Sequence, residues 1–194
     1  MNVQIFKPNA KCAGIAANFQ ISCKPDKEPV FFINAILQSS WNEQTRTGSF
    51  KENQKNPKKT IALKFNELEL GEMIHTFRTG LPYTTYHKGQ NSNTGITLAI
   101  FKKIRYNGKP HQHETTSFGF SFIRDGVDSF KVPIEAGEAV RLTALFYKFF
   151  DVLDAYRQNK FDNYNAPKQN NQEQEEESSP QGGQNNEDDD GPGF

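Results

Sequence analysis

The chain is expected to fold as an α+β domain of two β4α halves, residues 1–161, followed by a disordered acidic tail, residues 162–194. Three observations carry this. Strand-like runs of aromatic and β-branched residues fall into two groups. Each group closes on a segment with apolar residues at helical spacing. Beyond Phe161 the composition turns to Asn, Gln, Glu, Ser and Gly, which cannot bury enough apolar surface to offset the entropy of ordering.

In the first half, "GIAANFQISC" and "PVFFINAILQSSW" read as strands, "SFKENQKNPKK" as a polar, basic turn, and "TIALKF" as a further strand. "NELELGEMIHTFRTG" reads as a helix. Asn66 stands at the N-cap with Glu69 three residues on, Leu70, Met73, Ile74 and Phe77 form a stripe, and Gly80 ends it. In the second half "YTTYHKG" precedes "TGITLAIFKKIRY", where Ile96, Leu98 and Ile100 alternate with Thr97, Ala99 and Phe101. In "SFGFSFIRDG", Phe118, Phe120, Phe122 and Arg124 share one face, and "DSFKVPIE" follows. A long closing helix carries Leu142, Leu145, Phe149, Val152 and Tyr156 on one stripe, thickened by Phe146 and Leu153.

The formal charge of zero conceals a partition. Residues 1–161 hold 22 Lys and Arg against 14 Asp and Glu, a net of +8, while residues 162–194 hold nine acids and one base, a net of −8. A basic body tied to an acidic tail points to a polyanionic partner, nucleic acid first. Cys12 and Cys23 are too few and too widely spaced for a zinc site, and the polar "MNVQIFKPNAK" start lacks the apolar stretch of a secretory leader. No run has the length of a membrane span. The expected location is the cytoplasm: the nucleoid, or a host's cytoplasm if the gene is carried by a phage.

Catalytic chemistry finds no support. The segment His111-Gln112-His113-Glu114 does not present a set of three ligands at a recognised metal-binding spacing. Gly-rich phosphate loops, nucleophile elbows and Cys/His nucleophile pairs are absent from the sequence. No enzyme activity, metal or cofactor is expected.

Sequence-tolerant binding of a single strand needs cations along the phosphates and aromatic faces under the bases, each stack contributing roughly 1–3 kcal/mol. Residues 44–113 hold twelve Lys and Arg and four acids. The candidate DNA contacts are Trp41, Arg46, Lys51, Lys58, Lys59, Tyr83, Tyr86, Lys88, Phe101, Lys102, Lys103, Arg105 and Tyr106. "YTTYHK" and "FKKIRY" are the strongest units, because a stack and a phosphate contact could come from adjacent positions. With 17 Phe in the chain, most aromatics belong to the core.

The run "KKTIALKFNELELGEMI", with Ala62, Leu63 and Glu67 where a strand enters a helix, and the last strand "FKVPI" leading into a long helix, resemble the Whirly family of single-stranded-DNA-binding proteins. The resemblance spans about residues 14–156. Wider kin are the eukaryotic positive transcription cofactor domain and the kinetoplastid guide-RNA-binding proteins. It implies two antiparallel four-stranded sheets with packed helices and a homo-oligomer, for which Phe146, Phe149 and Phe150 supply a surplus of apolar surface. "DDDGPGF" resembles the acidic tip of bacterial SSB proteins. That implies recruitment of replication and repair proteins through Asp188, Asp189, Asp190, Pro192 and Phe194, the aromatic serving as anchor. The rival readings are an RNA binder and a transcription cofactor whose tail only solubilises.

Overall fold

The computed structural model describes residues 1–89, 93–105, 113–125 and 129–165. The first half builds a four-stranded antiparallel sheet in the order β1-β2-β3-β6, from β1 (Asn2–Lys7), β2 (Ile15–Lys24), β3 (Lys27–Leu37) and β6 (Thr60–Phe65). Between β3 and β6 stands a two-stranded ribbon, β4 (Ser40–Asn42) and β5 (Thr47–Ser49), followed by one 3-10 turn at Lys51–Asn53. The second half repeats the plan in the order β10-β9-β8-β7, from β7 (Tyr83–Lys88), β8 (Asn93–Arg105), β9 (His113–Arg124) and β10 (Phe130–Ile134). Helices α1 (Glu67–Thr79) and α2 (Ala136–Asn165) each end a half. The expected two antiparallel four-stranded sheets are present.

Several elements differ from the sequence reading. The polar start forms β1, because Val3 and Ile5 alternate inward and the strand pairs along β2. The run through Trp41 is not one strand. It breaks after Leu37 at Gln38, which is 5% exposed, and Trp41 belongs to the ribbon. Regular structure in α2 continues past Phe161 to Asn165.

Period-two alternation sends one face of each sheet into a shared core. Ile15, Ala17, Phe19 and Ile21 of β2, and Phe31, Ile33 and Ala35 of β3, face inward; so do Phe118, Phe120 and Phe122 of β9. The inner faces meet through Phe120, whose ring lies 6.3 Å from Phe19 and 6.2 Å from Phe65. The helices complete the core: Phe31 meets Phe146 and Phe149 of α2 edge-on at 5.3 and 5.7 Å, and Phe77 of α1 meets Phe118 at 4.9 Å. Phe146 and Phe149 are therefore core residues, and the surplus read from Phe146, Phe149 and Phe150 shrinks to the partly buried Phe150.

Helix α1 starts as its sequence requires. Asn66 Oδ1 accepts from the Glu69 N–H at 2.9 Å while the Glu69 carboxylate accepts from the Asn66 N–H at 3.0 Å. It ends at Gly80, whose φ of 79° suits a residue without Cβ. Glu69 also meets His87 Nε2 at 2.6 Å, which ties the helix start to β7. Arg157 of α2 reaches Glu67 at 2.8 Å and Glu28 at 3.1 Å, and these bonds, Glu67 first, raise the guanidinium pKa above its ordinary value. Lys7 meets Glu138 at 2.7 Å and joins β1 to the start of α2.

Gln38 holds the ribbon. Its amide donates to the carbonyls of Asn9 and Ser40 and accepts from the Asn9 N–H, each at 2.9 Å. A Cβ on Gly48 would come within 2.6 Å of Pro8 Cβ and 2.9 Å of Gln38 Nε2, so the ribbon seats against this amide without room for a side chain. Gln38→Ala should cost about 1–3 kcal/mol in urea unfolding, because three backbone groups lose their partner. The emission of Trp41, the single Trp of the chain, should shift red in the folded state as the ribbon loosens. Phe120→Ala should cost about 3–5 kcal/mol in the same titration.

Candidate nucleic-acid interface

With the inner faces committed to the core, the opposite face of each sheet is left for function. Register places three rows across sheet one: Asn2, Gln20, Phe32 and Lys64; Gln4, Asn18, Asn34 and Ala62; and Phe6, Ala16, Ile36 and Thr60. These twelve positions include no acid. Phe6 is 57% exposed and packs on Phe50, with ring centroids 5.0 Å apart. The middle of this face is a hollow of about 380 Å³ with Gln54 at its rim.

On sheet two the outer rows are Lys131, Ser121, Thr97 and Thr84; Pro133, Gly119 and Ala99; Ile123, Gly95 and Tyr86; and Ser117 beside Phe101. These positions carry no acid either. Tyr86 and Phe101 stand 54% and 58% exposed. Ser117 Oγ donates to the Phe101 carbonyl, fixing the backbone under that ring. A hollow of about 460 Å³ runs between Phe101, Ala99 and Pro133. By contrast Glu67, Glu69 and Glu72 are on α1, and Glu138, Asp151 and Asp154 on α2.

The expected contacts divide between the two sheets. Trp41, Arg46, Lys51, Lys58 and Lys59 belong to the ribbon and the segment that follows it at the end of sheet one. Arg46 is exposed at the ribbon turn with φ 51°, beside an Asn42 side chain that accepts from the N–H groups of Gln44 and Thr45. Trp41 is half-buried and its Nε1 is buried without a hydrogen-bond partner. Lys51 and Lys58 are exposed and Lys59 half-buried. Tyr86 and Lys88 are exposed on β7, with Phe101 on the adjacent strand β8 and on the same face, six residues beyond Gly95, the partner of Tyr86.

Tyr83 is half-buried. It and Tyr86 lie three apart on a strand, so they take opposite faces. Tyr83 packs against the core, and burial above all raises its hydroxyl pKa. Lys102, Lys103 and Arg105 continue β8 beyond Phe101, paired in register with Thr116, Thr115 and His113. Tyr106 and His111, and the tip residues Asp188, Asp189, Asp190, Pro192 and Phe194, lie outside the described residues. Charge density singles out no residue on the amide- and aromatic-bearing outer face of β1, β2 and β3. The alternation Val3-Gln4-Ile5-Phe6 was the signal that could have found it.

Among the described residues no group of three His, Cys, Asp or Glu is placed to hold a metal ion, and no helix is long and apolar enough to cross a membrane. No family model matches the chain. No curated protein matches it either. Two solved structures do. One is the plant transcriptional regulator PBF-2, with a TM-score of 0.51 and 11% identity over 83% of this chain and 87% of that one. The other is WHY1 from Arabidopsis thaliana, with a TM-score of 0.52 and 9% identity over 84% of this chain and 90% of that one. The order of strands and helices thus builds the fold of the Whirly proteins on a sequence that shares few residues with these two.

Proposed function

We propose that this protein binds single-stranded DNA with little sequence preference, acts in DNA replication, recombination or repair, and recruits partner proteins through Asp188–Phe194. The supporting observation is that both outer sheet faces lack acids at their paired positions while exposing Phe6, Tyr86 and Phe101. Phosphates would follow Lys51, Lys58, Lys64, Lys88 and Lys131, and unpaired bases would lie on the rings. A duplex keeps its bases stacked inside and cannot use those rings, so discrimination against it follows from the same geometry. No residue carries a catalytic role in this reading. A homo-oligomer belongs to the same proposal, with Val140 and Tyr147 of α2, 70% and 42% exposed, as apolar surface.

A second reading places strand binding in transcription, supported by the described role of PBF-2 as a transcriptional regulator. An RNA target is tested beside it by comparing oligo-U with oligo-dT. In the acidic segment, Asp188–Asp190 would steer towards a basic pocket and Phe194 would anchor there. The opposite charges of body and tail also favour the right order of events: a polyanion on the body competes with the tail and frees it for partners.

Fluorescence anisotropy should detect tight binding to oligo-dT and weaker binding to duplex of equal length, with log affinity falling linearly against log salt. Equal affinity for duplex, or no salt slope, would count against the reading. Replacing Tyr86 and Phe101 together by Ala should lower oligo-dT affinity at least tenfold, about 1.4 kcal/mol or more, with the urea midpoint unchanged. A peptide of residues 166–194 should retain replication or repair proteins on a column, and removing Phe194 should abolish that retention; a solubilising tail would be indifferent to the last residue.

A further inference from the structure

The two outer faces differ in chemistry. Sheet two presents hydroxyls, glycines and rings, whereas the middle row of sheet one sets three amides side by side, Gln4, Asn18 and Asn34, on adjacent strands. Strands lie ~4.8 Å apart, so the row spans about 10 Å, the width of a nucleobase and its substituents. The floor beside it is flat because Ala16 and Ala62 carry a single methyl each, and Phe6 forms one wall of the 380 Å³ hollow. A concave, largely apolar site with a few convergent polar groups is the form that orients a small planar ligand.

The amides are not equivalent. Asn18 is held in place: its Oδ1 accepts from Asn2 Nδ2 at 2.9 Å and its Nδ2 donates to Gln20 Oε1 at 2.7 Å. The amides of Gln4 and Asn34, on either side, make no hydrogen bond to another described residue and keep a donor and an acceptor each for a ligand. A phosphate oxygen would use only the N–H of such a group, whereas a base edge uses its donor and its acceptor together. An Asn or Gln amide matches an adjacent donor and acceptor, which an unpaired adenine offers on two edges, N6 with N7 and N6 with N1, and thymine on one, N3 with O4 or O2.

We propose that this hollow is a base-reading subsite, in which Phe6 stacks on one unpaired base and Gln4 and Asn34 bond its polar edge, favouring adenine. The inference rests on the single-strand-binding reading and adds to it: a modest, local base preference laid over a sequence-tolerant grip. Sheet two, without comparable amides, supplies the tolerant part.

The test is a short dT oligonucleotide in which one residue at a time is replaced by adenine, cytosine or an abasic site, titrated against the full chain. At the position that occupies the hollow, adenine should bind about five- to tenfold more tightly than thymine or cytosine, and the abasic site most weakly. Exchanging both Gln4 and Asn34 for Ala should compress the spread among bases to under twofold while the gap to the abasic site persists. Phe6→Ala should instead bring every base down towards the abasic level. A spread below twofold at all positions in the unmodified protein, or one that survives the double exchange, overturns the subsite and leaves single-strand binding standing. Failure to bind any of these oligonucleotides overturns both.

Discussion

The meeting of Phe120 with Phe19 and Phe65 is the contact on which the rest of the molecule depends. It is the place where two sheets, each with one apolar face, bury those faces against each other. Aromatic rings suit the task because each buries a large area and pairs with its neighbours at an angle. The helices are secondary to it. Phe31 accepts the rings of Phe146 and Phe149 on one side, and Phe118 accepts Phe77 on the other, so α1 and α2 close the same core. Once these faces are joined, period-two alternation leaves no choice about the others. Every second residue of eight strands is turned outward, and what those residues are decides what the protein can hold.

Charge follows the same division. Carboxylates are spent on the helical side: Glu69 closes the α1 cap and meets His87, Glu67 and Glu28 hold Arg157, and Glu138 holds Lys7. Each of these acids ties one element to another. None stands in the rows of either outer face. A phosphate path on these faces, as proposed, would meet no carboxylate to repel what the lysines attract. The ribbon obeys a third constraint. It stands outside both main sheets, and the buried amide of Gln38 is what fastens it, which makes Trp41 and Arg46 an appendage with its own anchor.

Much of this could be read from residues alone. Asn66 and Glu69 announced the α1 start, Gly80 its end, and the Phe118-Phe120-Phe122 alternation gave the core face of β9. These are local signals, set by neighbours a few positions away. What escaped depended on distant partners. Asn2–Lys7 looks polar until Ile5 is seen buried and paired through β2, and the break at Gln38 arises from Asn9, twenty-nine positions earlier. The candidate site split the same way. Tyr86 and Phe101, expected as stacking faces, stand exposed, whereas Tyr83, three positions from Tyr86, takes the other face by alternation alone. Searching for lysine density favoured the ribbon and β8, and passed over a face built of amides and alanines, because charge is conspicuous in a sequence and a row across three strands is not.

In the proposed function, unpaired DNA lies on the outer faces of the sheets and not against the helices. Photo-crosslinking with oligo-dT carrying 4-thiothymidine, followed by peptide mapping, examines this directly. Adducts are expected on peptides containing Phe6, Phe32, Tyr86 or Phe101. Adducts confined to α1 and α2, at residues such as His75 or Tyr147, would contradict it.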